Sequence, residues 1–208
     1  VPGLAALSER LLGLSARRSL PAWRRQHFFN QPRRTATRDE VLAAERGVVL
    51  FVDTFNGYFE SENAHAAVKV LQAAGYTVHV ATKAQDDGKH LCCGRTYLAS
   101  GMVEQAKDKA REVVQSLLPF AHKGIAIVGL EPSCLLTLRD EALVMGLGQK
   151  AVTVSQQALL FEELVHAEVR FTQAKAMVGS HHHQGVVIGQ GQYRAQRLID
   201  IDITLFHY

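Results

Sequence analysis

The chain has 208 residues, of which 47% are apolar, and carries a formal net charge of +3 and three cysteines. This length and apolar fraction exclude a disordered tail and suit one large globular domain or two small ones, while an odd number of cysteines argues against a secreted disulfide framework. Because no apolar run approaches the ~20 residues that span a bilayer and no signal-peptide core stands at the start, we expect a soluble, cytoplasmic protein.

Residues 1–46 predict a helical arm followed by a basic linker. The amphipathic stretch LAALSERLLGLSA precedes an arginine-rich connector that contains Pro21 and Pro32. No interleaved aromatic stacking pattern continues beyond this connector, so we interpret it as a basic surface segment and expect no nucleic-acid partner.

An α/β domain is predicted over residues 47–165. VVLFVD (48–53) is a continuous run typical of a strand buried on both faces, and YTVHVA (76–81) is a second strand. The helical pattern between them closes on Gly75, so the two strands should be parallel. GIAIVGL (124–130) predicts a third strand after a long amphipathic helix. The pattern indicates a parallel sheet layered with helices.

The last part of the chain is harder to interpret. QQALLFEELV (156–165) predicts a helix, and KAMVG, GVVIG and DITLF are candidate short strands. We expect residues 166–208 to be a partial or degenerate start of a second unit with a truncated or shifted end. His181, His182 and His183 could bind zinc or nickel, although a solvated loop is the default interpretation.

Loops that leave the carboxyl ends of parallel strands meet at one edge, and the candidate chemistry of this chain gathers there. Cys92 and Cys93 precede one predicted helix, and Cys134 precedes another. Adjacent cysteines are poorly placed to form a disulfide with each other. Helix N-termini favour thiolates, the form that binds metals and attacks disulfides, whereas buried cysteines are often only small apolar side chains.

Three further polar residues each have a catalytic interpretation and a structural one. Asp53 could act as an acid or base, or it could cap the turn beside Asn56. Arg139 and Asp140 are expected to form a structural ion pair rather than to take part in catalysis.

The stretches FVDTFNGYF, LCCGRTYLASGMVEQAK and GIAIVGLEPSCLLTLRDE resemble the cysteine-rich CCG domain. This Rossmann-like domain occurs in heterodisulfide reductases, in iron-sulfur subunits of anaerobic glycerol-3-phosphate dehydrogenase and glycolate oxidase, and in FAD-linked oxidase fusions. These three stretches are most similar in sequence to the carboxyl-terminal part of those fusions. The resemblance covers roughly residues 47–165.

The resemblance assigns a role to each matching position. Cys92, Cys93 and Cys134 match cysteines that hold or serve an iron-sulfur cluster, and Gly94 matches the glycine of the CCG motif. Two further positions depart from the family's five-cysteine pattern, since Thr54 and Glu131 stand where cysteines would be. A [4Fe-4S] cluster usually takes four cysteine ligands, so the ligand set of this chain is incomplete.

The resemblance also implies cofactors, partners and a function. An iron-sulfur cluster would lie on this chain, and FAD would lie on an upstream or partner segment. The partners would be a flavin dehydrogenase domain or subunit and a ferredoxin-like iron-sulfur segment, with peripheral membrane contact through a partner. The chain would be the electron-transfer portion of a dehydrogenase for a small 2-hydroxy acid such as lactate or glycolate. Two alternatives remain open: a thiol-disulfide or zinc-binding redox protein, and a degenerate, non-catalytic interaction domain.

Overall fold

A computed structural model describes residues 2–13, 15, 17, 24–32, 34–84 and 86–168. The amino-terminal elements are α1 (Pro2–Leu12), a 3-10 turn (Phe28–Asn30), α2 (Arg38–Ala43), β1 (Gly47–Phe51), α3 (Thr54–Tyr58), α4 (Ser61–Ala73) and β2 (Thr77–Val80). There follow β3 (Thr82–Lys83), β4 (Asp86–His90), α5 (Arg95–Ala99), α6 (Val103–His122), β5 (Ala126–Gly129), α7 (Pro132–Arg139), α8 (Glu141–Val144), α9 (Gln149–Ser155), β6 (Ala158–Leu160) and α10 (161–168).

The main sheet has four parallel strands in the order β2-β1-β5-β6. β1 pairs with β2 through Val48 and Val78 and with β5 through Val49 and Ile127. The predicted α/β fold and the parallel pairing of the first two strands are therefore confirmed. β2 pairs with one side of β1, and β5 pairs with the other side. The strand order therefore reverses between β1 and β5. In open sheets of this kind, ligands bind at the carboxyl ends of the two strands where the order reverses.

Both faces of the sheet are covered, which explains why β1 is continuously apolar. Successive side chains of a strand point to opposite faces. Val48 and Leu50 pack into one hydrophobic cluster with Leu71 of α4, and Val49 and Phe51 pack into the other with α6 and α7. Cys93 and Cys134 belong to the second cluster, so the cysteines lie on the α6 side of the sheet.

Asp53 caps the helix that leaves β1. Its Oδ1 accepts hydrogen bonds from the backbone N–H groups of Phe55 (2.8 Å) and Asn56 (3.1 Å). The Asn56 side chain donates to Oδ2 at 2.6 Å. Both carboxylate oxygens therefore serve the start of α3, which is the second of the two interpretations of Asp53.

A hairpin of β3 and β4 carries the chain from β2 to the cysteines. Its strands pair antiparallel, with Thr82 opposite His90. The hairpin is attached to α6, because the Ala84 N–H donates to the Ser116 hydroxyl (3.1 Å) and Lys83 forms an ion pair with Glu112 (2.7 Å). The sequence pattern did not predict this hairpin, and it determines where the cysteine loop begins.

Two expectations were wrong in detail. Residues 158–160, inside the predicted helix 156–165, form β6 because they extend the sheet beside β5, and the helix begins only at residue 161. Arg139 forms an ion pair with Glu163 (2.8 Å) rather than with Asp140. Asp140 lies at the junction of α7 and α8, where the helix that carries Arg139 ends. This ion pair joins α7 to α10.

The predicted helical arm is present as α1, and the segment after it lies against the domain. Phe28 is fully buried, and Phe29 occupies the space above Gly57, where an added Cβ would collide with the Phe29 ring. Arg24 forms an ion pair with Glu62 of α4 at 2.7 Å. Within the described ranges, no helix has both the length and the apolar character needed to cross a membrane.

The expectations about the end of the chain lie outside the described residues. These are the three histidines at 181–183, the candidate strands at 175–179 and beyond, and most of the segment 166–208. The proposed domain boundaries stay predictions.

Candidate thiol site

Cys93 and Cys134 are in direct contact although 41 residues separate them along the chain. The Cys93 thiol donates a hydrogen bond to the Cys134 sulfur at an Sγ–Sγ distance of 3.0 Å. Both side chains are buried, with 5% and 8% of their surfaces exposed. Cys134 lies in the first turn of α7, directly after β5, so the contact is at the carboxyl edge of the sheet.

Cys92 precedes Cys93 directly, and its thiol interacts with that of Cys93. All three cysteines are free, and Cys92 is more exposed than the other two. Its hydrogen bond to Cys93, together with burial, raises the pKa of the Cys92 thiol far above its usual range. The hydrogen bond from Cys93 to Cys134, followed by burial, raises the pKa of Cys93 to about 12. At neutral pH, Cys92 and Cys93 are therefore protonated.

The turn after the cysteines is fixed by close packing at Gly94. This residue has φ +83°, and a Cβ at its position would lie 2.9 Å from Lys109 Cβ and 3.1 Å from the Ala106 carbonyl oxygen. Glycine is therefore required both by the backbone conformation and by the approach of α6. The next residue, Arg95, donates its N–H to the Cys93 sulfur at 3.4 Å and forms an ion pair with Glu141 of α8.

Thr54 and Glu131 begin helices at the ends of the two central strands. Thr54 is the first residue of α3, directly after the capping Asp53. Glu131 caps α7, because its carboxylate accepts hydrogen bonds from the N–H (3.3 Å) and the hydroxyl (2.7 Å) of Ser133. The structure thus brings Cys92, Cys93 and Cys134 together, and it gives Glu131 a capping role.

The arrangement of these residues does not fit a four-cysteine [4Fe-4S] cluster. Cluster ligands are thiolates bound to separate irons. Here the sulfurs of Cys93 and Cys134 touch, and Thr54 and Glu131 stand at the two positions where the resemblance expects further cysteines. Among the residues that the structure describes, no group of three or more His, Cys, Asp or Glu side chains is arranged to hold a metal ion.

What the geometry does allow is oxidation of two thiols to a disulfide. An S–S bond is about 2.05 Å long, so the sulfurs of Cys93 and Cys134 need to approach by about 1 Å. Cys92 and Cys93, by contrast, are neighbours in sequence and would form a strained ring. The structure therefore favours Cys93 with Cys134 as the reactive pair.

An aromatic cluster holds the base of the hairpin that leads to Cys92. The Tyr58 hydroxyl and His90 Nδ1 are 3.0 Å apart, and the Phe29 ring stacks on the His90 ring at 5.1 Å between centroids. The His27 ring lies 4.6 Å from that of Tyr58. Burial lowers the pKa of His90, and three neighbouring cations act in the same direction: Lys83, His27 and Lys109. Glu112 opposes them.

This cluster predicts that acid weakens the fold. Because the pKa of His90 is lower in the folded chain than its ordinary value of 6.5, neutral His90 stabilises the fold fully above pH 6.5. That contribution is lost as the pH falls through 6.5 towards the lower folded value. Urea unfolding at about pH 7.5 and about pH 5.5 should show a larger loss of stability in wild type than in His90→Phe.

The control for this prediction is His122→Phe, which changes an exposed histidine at the end of α6. It should keep the wild-type dependence on pH. An equal loss of stability in wild type and His90→Phe would contradict the role assigned to His90.

Three residues that shape the site were not predicted from the sequence. Lys109 and Ala106 pack against Gly94, and Glu141 pairs with Arg95. They lie on α6 and α8, and no local pattern relates either helix to the cysteine loop. A glycine directly after two cysteines was the one signal that a close approach occurs there.

The chain is similar to one subunit of a named dehydrogenase. The chain is 27% identical over 136 residues to a subunit of anaerobic glycerol-3-phosphate dehydrogenase from two strains of Escherichia coli, K12 and O157:H7. The match covers 65% of this chain and 32% of the relative, so the chain spans about a third of the length of the curated relatives it matches. No family model matches the chain, and no solved structure matches it.

Proposed function

We propose that this chain is the electron-transfer portion of a flavin-linked dehydrogenase, and that Cys93 and Cys134 carry electrons as a dithiol-disulfide pair. The contact between their buried sulfurs at 3.0 Å carries the proposal. The similarity to a protein named as a dehydrogenase subunit supports a role within a larger redox assembly.

The proposed step is a two-electron exchange. Oxidation forms the bond between Cys93 Sγ and Cys134 Sγ, breaks both S–H bonds and releases two protons and two electrons. In the direction of substrate oxidation, the disulfide would accept an electron pair from a flavin on another segment or subunit of the dehydrogenase, which breaks the S–S bond and adds one proton to each sulfur. The dithiol would then pass the two electrons to a ferredoxin-like iron-sulfur segment, release both protons and form the S–S bond again. The exchange requires a thiolate, because thiolates rather than thiols react. Since the pKa of Cys93 is raised, the exchange should be faster at higher pH.

The finer parts of the proposal rest on the resemblance to FAD-linked oxidase fusions. The substrate oxidised by the assembly would be a small 2-hydroxy acid such as lactate or glycolate. A ferredoxin-like iron-sulfur segment would be a further electron carrier. Reduction of the disulfide on adding lactate or glycolate, but not glycerol 3-phosphate, to an assembled complex would test the choice of substrate.

Counting thiols at redox equilibrium tests the dithiol pair. The full chain is equilibrated anaerobically in glutathione buffers of increasing oxidising strength, alkylated under denaturing conditions and analysed by mass spectrometry. Wild type should fall from three free thiols to one in a single two-electron transition. Cys92→Ser should fall from two free thiols to none, whereas Cys93→Ser and Cys134→Ser should keep both of theirs.

Each other result points to a different class of protein. Three free thiols under every oxidising condition would contradict the proposal and support a non-catalytic interaction domain. Iron with acid-labile sulfide, or stoichiometric zinc, in anaerobically purified protein would also contradict it, provided that Cys93→Ser loses the metal.

A further inference from the structure

Glu112 of α6 forms ion pairs with two lysines that lie on different parts of the fold. Its Oε1 is 2.7 Å from Lys83 Nζ in the hairpin, and its Oε2 is 3.2 Å from Lys109 Nζ, three residues earlier on α6. The three side chains are between 24% and 33% exposed, so salt screens their charges less than fully exposed ones. Lys83, Lys109 and Glu112 together are called the ion-pair network.

The ion-pair network meets both ends of the cysteine loop. At the first end, Lys83 lies opposite Asp86, the first residue of β4, and β4 leads into the two adjacent cysteines. At the second end, a Cβ at Gly94 would lie 2.9 Å from Lys109 Cβ, so Lys109 covers the turn that follows the cysteines. The carboxylate of Glu112 therefore connects the start of the loop to its end.

A second contact and the charges of the network place it beside this loop. Ser116, one turn after Glu112, accepts a hydrogen bond from the Ala84 N–H at 3.1 Å, and its hydroxyl donates to the Glu112 carbonyl oxygen at 2.8 Å. After burial, the charges of the two lysines are among the causes that lower the pKa of His90, and the charge of Glu112 opposes them. His90 is the second residue before Cys92.

We propose that Glu112 is a positioning residue for the pair of Cys93 and Cys134. This inference rests on the proposed function, in which the two thiols exchange electrons by forming a disulfide. A loop that is held at both ends keeps Cys93 against Cys134 at 3.0 Å, and a fixed geometry of this kind favours bond formation. Glu112 acts through the two lysines and takes no part in the transfer of electrons.

The glutathione equilibrium of the full chain tests this role. Glu112→Gln keeps the size of the side chain and removes its charge, so the equilibrium constant for disulfide formation should fall about three- to tenfold. The difference from wild type should shrink in 1 M NaCl, where the screening length is about 3 Å. Lys83→Met should lower the constant in the same direction, and Lys83→Arg, which keeps the charge, should restore the wild-type value.

The matched control is Glu104→Gln, which breaks an ion pair between two residues of the same helix. Glu104 is 80% exposed and pairs with Lys107 at 2.9 Å. This variant should keep the wild-type equilibrium constant.

Hydrogen exchange of the reduced protein gives a second measurement that does not depend on a disulfide. The backbone amides of residues 86–94 should exchange about three- to tenfold faster in Glu112→Gln than in wild type. In Glu104→Gln their exchange rates should be unchanged.

Three results would overturn the inference. The first is a wild-type thiol equilibrium in Glu112→Gln. The second is a shift towards easier oxidation, which would mean that the ion-pair network holds the thiols apart. The third is an equal effect in Glu104→Gln. If wild type forms no disulfide, the proposed function fails, and hydrogen exchange then decides alone whether Glu112 positions the cysteine loop.

Discussion

Phe51→Ala is expected to lower the free energy of unfolding by about 3–5 kcal/mol. Phe51 is the last residue of β1, is 1% exposed and packs in the hydrophobic cluster that also contains Cys93 and Cys134. Removing its ring leaves a cavity in the cluster that contains the buried thiols. Urea unfolding followed by circular dichroism measures the loss.

The matched control is Phe55→Ala, which removes the same ring from a residue that is 53% exposed, four positions along the chain. It should cost less than about 1 kcal/mol, because solvent already covers half of the side chain. Similar losses for the two variants would mean that the face of the sheet below the cysteines is not closely packed.

Gly94→Ala is expected to destabilise the fold by about 2–5 kcal/mol and to disturb the thiol pair. The backbone at φ +83° is strained for any residue with a Cβ, at about 1–2 kcal/mol. The added methyl group would also meet Lys109 Cβ at 2.9 Å, and overpacking of this kind costs about 1–3 kcal/mol. Because Gly94 follows Cys93 directly, its displacement should also weaken disulfide formation in the glutathione equilibrium.

Gly101→Ala separates these two causes. Gly101 has φ +74°, but a Cβ there would have no neighbour within 4 Å. This variant should cost only about 1–2 kcal/mol and leave the thiol equilibrium unchanged. Equal effects of the two alanine substitutions would contradict the close approach of α6 to the cysteine loop.

The parallel sheet could be predicted because the residue pattern of its central strands indicates burial on both faces. Val48 to Val52 and Ile125 to Leu130 are runs of apolar residues without alternation, which only a strand covered on both faces accommodates. The helices between them begin and end at recognisable residues such as Gly75. Each of these signals depends only on residues that are neighbours in the sequence, so it can be recognised from the sequence alone.

The elements that were missed depend on contacts between distant residues. β4 runs through Asp86, Asp87 and Gly88, which are poor strand formers, and pairing with β3 compensates for them. β6 is three residues long and lies in a segment whose apolar spacing is helical. It is a strand because it pairs in parallel with the edge of β5, where the Ile127 N–H donates to the Gln157 carbonyl oxygen.

The residues of the thiol site could be predicted from the sequence, but the contacts between them could not. Cys92, Cys93 and Cys134 were expected at one edge because each precedes a helix near the end of a strand. The contact of Cys93 with Cys134 depends on the hairpin and on α6 packing against Gly94. The proposed dithiol pair rests on that contact.

Locating the disulfide tests the central claim most directly. Trypsin separates Cys92 and Cys93, together on the peptide 90–95, from Cys134 on the peptide 124–139. After oxidation in the folded state and alkylation of the remaining thiols, fragmentation of the linked peptides should show Cys93 joined to Cys134 and Cys92 alkylated. A bond between Cys92 and Cys93, a bond between two chains, or no bond at all would contradict the account.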